Sequence, residues 1–215
     1  MKIFIATPTR GDPRMEYSVS LLLMITDFIC NKNFRNFQIN PRVELGSILP
    51  SQRHNLAQEA IKWGADYMLW IDDDMGFPKN TLERLINAAS AGLDIVAANC
   101  PRKEIPPRWT AKRDGLIVNS NGKTGVEEVD SVGCAMMLVN MNVYKSLPIP
   151  HFELPWDPNA GGYVGEDVYF CRKAKKAGYK IFIDHDLSKE ITHVGSYRYQ
   201  CLPDELLEKA LNMVE

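Results

Sequence analysis

The run Tyr67 to Ile71 (YMLWI) is continuously apolar and has an Asp on each side, Asp66 and Asp72. Five apolar residues without polar alternation suit a strand covered on both faces, and such strands belong to sheets packed between helices. Lys2 to Thr7 (KIFIAT), stopped by Pro8, and Asp94 to Ala98 (DIVAA) read the same way. Helical patterns separate them. From Met15, residues Tyr17, Leu21, Met24, Ile25 and Phe28 recur at three and four. Ser51 is placed to cap a helix with an apolar face of Leu56, Ala57, Ala60 and Ile61, ending near Gly64. Pro78 opens another, carrying Leu82, Leu85, Ile86 and Ala89, with Gly92 past its end. Phe37 to Leu45 alternates apolar and polar, and Pro41 within it predicts an edge strand. Strand and helix in strict alternation predict an α/β fold with a mostly parallel sheet.

The second half reads differently. Leu116 to Ser120, Asn121-Gly122 and the extended run that follows predict a hairpin, since Asn-Gly accepts positive φ at both turn positions. Val129 to Val139 is strand-like, with small residues at Gly133, Cys134 and Ala135. Asp167 to Ala177 is helical and ends at Gly178, Tyr179 to Asp184 is a last strand, and Asp204 to Val214 predicts an amphipathic terminal helix. There is no repeat, low-complexity tract or linker, so residues 1–215 read as a single domain.

Several classes of function are disfavoured. With 25 Lys+Arg against 27 Asp+Glu the formal charge is −2, which removes the electrostatic case for a nucleic-acid binder. No run of 18 apolar residues predicts a transmembrane segment, and Val19 to Ile25 follows Arg10, Asp12, Arg14 and Glu16, unlike a signal peptide. Five scattered cysteines without a CxxC pair argue against a disulfide framework or structural zinc and for a reducing, cytoplasmic location.

The chemistry concentrates in three places. Asp72-Asp73-Asp74 directly follows the buried strand, where ligand crevices of parallel α/β sheets lie. Three adjacent carboxylates repel one another, and Asp72 and Asp74 can address one cation together, Mg²⁺ or Mn²⁺, alongside substrate phosphates. A solvated acidic loop is the plain alternative. Gly161-Gly162-Tyr163-Val164-Gly165-Glu166-Asp167 is a glycine-rich approach to two acids at a helix start, where the dipole favours acids in any case. An Asp held there can also take a proton from a hydroxyl. His193, in Ile191-Thr192-His193-Val194-Gly195, is either packed or a ligand.

Taken in order, these pieces resemble the GT-A class of nucleotide-sugar-dependent glycosyltransferases, particularly compact family-two-like enzymes of bacteria and viruses. The resemblance runs from Lys2 to about Tyr199 through Thr7 to Arg10, Ser51 to Asn55, DYMLWIDDDMGFP, VGCAMMLVN, GEDVYFCRKAKKAGYKI and THVG. It implies a Rossmann-like three-layer sandwich with a nucleotide-binding half (1–100), an acceptor and catalytic half (101–200) and a C-terminal helix (201–215). It also implies donor-nucleotide contacts from Pro8, Thr9, Arg10, Arg53, Asn55, Asp72 and Asp73, and a divalent metal, Mn²⁺ or Mg²⁺, on Asp74, Asp72 and His193. Asp167 matches the general base and Glu166 the group that orients the acceptor. The register within the triplet stays open, since Asp73 can take either neighbour's role.

The implied reaction moves a sugar from a nucleotide diphosphate, UDP favoured and GDP possible, to a glycan hydroxyl, with inversion favoured. Trp156, with Gly161 and Gly162, is an acceptor-stacking or lid element, or else Trp156 is a hydrophobic plug. The bases Arg102, Lys103, Arg108, Lys112 and Arg113 either meet an acidic ligand or form a solvated loop. Two other readings are a non-catalytic nucleotide-sugar or glycan-binding domain and another metal-dependent phosphate-ester enzyme. The chain has no GxxxxGK[ST] loop, and Ala6 to Arg14 holds only Gly11 where a sugar nucleotidyltransferase would have a glycine-rich turn.

Overall fold

The computed structural model describes residues 1–159 and 161–195 and the backbone of 198–199. Its first half contains β1 (Lys2–Thr9), α1 (Met15–Cys30), β2 (Gln38–Leu45), α2 (Leu49–Trp63), β3 (Tyr67–Ile71), β4 (Met75–Gly76), α3 (Thr81–Ser90) and β5 (Ile95–Ala98). Next come β6 (Lys112–Arg113), β7 (Leu116–Ile117), β8 (Val126–Val129), β9 (Met136–Asn140), α4 (Met141–Ser146), β10 (Trp156–Asp157) and β11 (Gly162–Tyr163). Last are α5 (Glu166–Lys176), β12 (Ile181–Asp184), α6 (His185–Ser188), β13 (Thr192–Val194) and β14 (Arg198–Tyr199).

Seven strands form one sheet in the order β2-β1-β3-β9-β5-β12-β8. Strands β1, β2, β3, β5 and β12 share one direction, and β9 and β8 oppose them. Side-chain alternation explains why these strands read as unbroken apolar runs. Phe4, Ala6, Met68, Trp70, Ile95 and Ala97 pack on one face against α2, α4 and α5. Ile3, Ile5, Leu69, Ile71, Val96 and Ala98 pack on the other against α1 and α3. Each large aliphatic or aromatic side chain so buried contributes about 1.5–3 kcal/mol, and both faces collect it. The one polar atom of Trp70 is satisfied, its Nε1–H donating to Tyr144 Oη at 2.7 Å. Pro41 lies on the edge strand β2, where its missing N–H costs no ladder bond.

Four local expectations are corrected. Strand β1 continues through Pro8 to Thr9, because its pairing with β3 stops at Ala6 and beyond that point it has a neighbour on one side only. Helix α2 starts before Ser51, with Ile48 as cap and Pro50 in the first turn, where its absent N–H has no partner to lose. The hairpin turns at Asp114-Gly115, with φ of +51° and +77°, and joins β6 to β7. The run after Asn121-Gly122 instead pairs with β12 at the far edge of the sheet. The stretch Val129 to Val139 divides into the end of β8, a crossing segment and β9, which inserts antiparallel between β3 and β5.

The terminal helix expected over Asp204 to Val214 lies outside the described residues, as does Cys201. Among the described residues Cys30, Cys100, Cys134 and Cys171 form no disulfide, and no helix is long and apolar enough to cross a membrane.

Candidate active site

The ends of β1 and β3 and the start of α2 frame a cleft of about 510 Å³. Pro8, Thr9 and Arg10 line it together with Asp72, Asp73 and Asp74, so six of the sequence-predicted residues converge. Arg14, Gln52 and Lys103 complete much of the wall. Gln52 is buried and donates to the carbonyls of Thr9 (2.8 Å) and Glu44 (2.7 Å), tying the ends of β1 and β2 to α2.

Each acid of the triplet has a different environment. Asp72 Oδ1 accepts from Arg53 Nη2 at 2.9 Å. Asp73 accepts from the Thr9 hydroxyl. Burial, set partly against that bond and reinforced by the two flanking acids, pushes its carboxyl above the ordinary range. Asp74 Oδ2 pairs with Lys103 Nζ, and Asp74 Oδ1 lies 3.2 Å from His193 Nε2. Burial alone would raise the Asp74 carboxyl, but His193 and Lys103 together outweigh it and hold it low.

His193 reaches Asp74 through strand pairing. Strand β13 lies antiparallel to β4, with His193 opposite Met75 and the Val194 N–H donating to the Asp74 carbonyl at 2.8 Å. Gly76 makes this approach possible, since a Cβ there would stand 2.4 Å from Thr192 Oγ1. His193 Nδ1 lies 2.8 Å from the Pro101 carbonyl, which can only accept, so Nδ1 carries the proton. Nε2 is then the ring atom that faces Asp74. Asp74 Oδ1 is buried and makes no hydrogen bond with acceptable geometry. The Asp74 carboxylate oxygen and His193 Nε2 lie 3.2 Å apart, an oxygen and a nitrogen of the kinds that bind divalent cations. Among the described residues no group of three His, Cys, Asp or Glu is gathered for a metal, so Asp74 and His193 bring together two candidate donor atoms and no third.

Asp167 and Glu166 open α5. Asp167 is half-buried, with Oδ1 accepting from the Val168 N–H at 2.7 Å. Gly165 is required by space, because a Cβ would stand 2.6 Å from Asp167 Oδ1. Burial, helped by the neighbouring Glu166, pushes the Asp167 carboxyl up. Glu166 Oε1 accepts from Arg53 Nε at 3.2 Å.

Arg53 therefore joins the two acid groups, and this corrects its expected role. Its side chain is 2% exposed, bonded to Asp72 and Glu166, and lies over the Trp70 ring at 5.2 Å, so it does not line the cleft. Burial opposes its charge, but Asp72 foremost, with Glu166 among its other neighbours, keeps it protonated. Asn55 is also outside the cleft. It faces solvent and donates to Glu44 Oε1 at 3.0 Å, because two residues along α2, about half a turn, carry it to the face opposite Arg53.

Trp156 and Tyr163 meet across the β10–β11 ladder with ring centroids 5.3 Å apart, edge to face. At 57% and 73% exposure they plug nothing. Gly161, at φ +64°, and the half-buried Gly162 lead into β11. Among the five loop bases Lys103 is the one that lines the cleft, while Arg108 is held by Glu104 at 2.7 and 2.9 Å. Sequence reasoning missed Gln52, Thr9 as partner of Asp73, Lys103 as partner of Asp74, and the 133–135 segment. Within that segment the Ala135 carbonyl accepts from the Asp72 N–H at 3.1 Å, and a Cβ on Gly133 would contact Asp167 Oδ2 at 3.6 Å.

No protein-family model matches the chain, and no curated protein matches it. Solved structures similar to the chain include the following two. The crystal structure of A197 from STIV aligns over 91% of this chain and 86% of its own, with a TM-score of 0.65 and 15% identity. The crystal structure of S. aureus TarS 1-349 aligns over 97% of this chain and 63% of its own, with a TM-score of 0.49 and 16% identity. At such identities the likeness is one of fold. That fold is a Rossmann-like α/β sandwich with a mostly parallel central sheet between helices.

Proposed function

We propose that this chain is a divalent-cation-dependent glycosyltransferase. It moves a sugar from a nucleotide diphosphate, UDP favoured over GDP, to an acceptor hydroxyl on a glycan, with inversion favoured. One observation carries the reading: Asp74 Oδ1, buried and without a hydrogen bond, faces the Nε2 of a histidine whose Nδ1 is already committed to a carbonyl. A mixed oxygen and nitrogen donor pair suits Mn²⁺ better than Mg²⁺. The other coordination positions belong to water and the donor's phosphates. When bound, the cation supplies Lewis-acid stabilisation of the charge developing on the departing diphosphate.

The remaining work falls to the chain itself. Pro8, Thr9, Arg10 and Asp73 receive the donor nucleotide, with Asp73 held by the Thr9 hydroxyl. Asp72, steadied by Arg53, faces the same cleft. Asp167 accepts the proton of the attacking hydroxyl, and its raised pKa brings it nearer the proton affinity that a base needs around neutral pH. Glu166, fixed by Arg53, holds the start of α5 in place. Trp156 and Tyr163 offer an aromatic surface, reached through Gly161 and Gly162, on which an acceptor sugar can stack.

The test is thermal denaturation with UDP-, GDP- and dTDP-sugars, with and without Mn²⁺, followed by turnover assays with and without EDTA. The expected result is stabilisation that needs both cation and nucleotide, since a ligand bound only by the folded state raises the midpoint by mass action. Asp74→Asn should lose that shift, while Asp167→Asn should keep it and lose turnover. Equal loss of donor binding in both variants refutes the assignment. Intact binding without turnover on any acceptor would favour a non-catalytic binder, and cleavage of nucleotides lacking a sugar would favour a phosphate-ester enzyme.

A further inference from the structure

The loop joining β5 to β6 acts on both oxygens of Asp74. Lys103 Nζ pairs with Oδ2, and two residues earlier the Pro101 carbonyl orients the imidazole that faces Oδ1. This loop is braced apart from the acid it touches. Pro101 bridges to Trp109, the Arg102 N–H donates to the Arg108 carbonyl at 2.8 Å, and Glu104 grips Arg108 through two bonds. Lys103 thus hangs a flexible ammonium, one-third exposed, from a held backbone into the cleft it shares with Arg10 and Arg14.

An ion at Oδ1 and the ammonium at Oδ2 repel one another across the same carboxylate. Arrival of the ion therefore weakens the Lys103 pair, and a diphosphate in the same cleft offers the ammonium a more highly charged anion. Resting on the assignment of Asp74 and His193 as cation ligands, we propose that Lys103 is a stand-in for the cation. It neutralises Asp74 in the free protein and transfers to the donor diphosphate when the ion binds. The exchange links the two ligands. Metal alone competes with Lys103 and leaves it only the neighbouring acids of the triplet, whereas metal with nucleotide brings it a phosphate.

Mn²⁺ binding, read from the spin-resonance signal of the free ion, tests this on the whole chain with and without UDP. Lys103→Met should bind Mn²⁺ alone about fivefold more tightly than wild type, the range of a partly exposed ion pair. The same variant should bind UDP in saturating Mn²⁺ about tenfold more weakly, as loss of a charge-assisted phosphate contact would give. Lys103→Arg, which keeps the charge, should stay near wild type in both, and thermal melting of each variant verifies its fold. Mn²⁺ affinity unchanged or weaker in Lys103→Met, or UDP affinity unchanged, overturns the exchange while leaving the metal site standing. Absence of Mn²⁺ binding to wild type, or full binding to Asp74→Asn, overturns the site and the exchange together.

Discussion

Replacing Arg53 with Met keeps the unbranched stem against Trp70 and removes the charge that joins Asp72 to Glu166. Breaking a buried ion pair by deleting one partner costs about 3–5 kcal/mol. Here the partners keep 26% and 13% exposure, so solvent screening reduces that to about 2–4 kcal/mol. A smaller term opposes it. Arg53 Nη1 is buried without a hydrogen bond, and removing such a donor returns about 1 kcal/mol. The net expectation is a loss of about 1–3 kcal/mol, measurable as a lowered urea midpoint at unchanged m. Arg53→Lys should recover less than half of it, because one ammonium cannot reproduce contacts made separately by Nε and Nη2. A loss below about 0.5 kcal/mol, the level of an ordinary surface substitution, would refute the idea that this guanidinium holds the two acid groups together.

Gly76→Ala should push β13 away from β4 and weaken Mn²⁺ binding about tenfold, since its Cβ would stand 2.4 Å from Thr192 Oγ1. Adding Thr192→Ala should restore binding, and failure of that rescue in a calorimetric titration would count against the steric account. Asp167 has its pKa raised in the folded protein, so the stability it contributes is complete below the unfolded value and is lost as pH rises through the folded one. Asp167→Asn should accordingly melt a few degrees higher than wild type near neutral pH, with the difference vanishing near about pH 3, while turnover falls at least about a hundredfold. An unchanged or lower melting temperature at neutral pH would show that the carboxylate is not held charged against burial. Trp156→Ala should raise the acceptor KM and leave donor binding alone; a matching loss of donor affinity in a nucleotide titration would remove the hairpin from the acceptor side.

The first half of the fold could be read because its signals are local. Continuous apolar strands, a proline on an edge and glycines after helices are each decided within a few residues. The sheet's middle was hidden for the opposite reason. Nothing in Met136 to Asn140 announces that it will wedge antiparallel between β3 and β5, because that position is set by partners distant in sequence. The hairpin was misplaced because Asn121-Gly122 and Asp114-Gly115 carry the same turn chemistry, and pairing of β8 with β12 decides between them. At the site, the triplet stood out by its repulsion alone. The contacts that give its members separate characters did not, since Arg53 and Glu166 are 113 residues apart and Thr9 and Asp73 are 64 apart.

The reversed strand β9 has a consequence for how this architecture can diversify. Because β9 points against its neighbours, its beginning rather than its end arrives beside the acid triplet, and the segment ahead of it props that triplet from behind through the Ala135 carbonyl, which accepts from the Asp72 N–H. Residues 131–135 are buried, with Val132 and Cys134 in the core, so exchange of side chains there is constrained as tightly as length, and an insertion of even one residue would shift the register of the central strand.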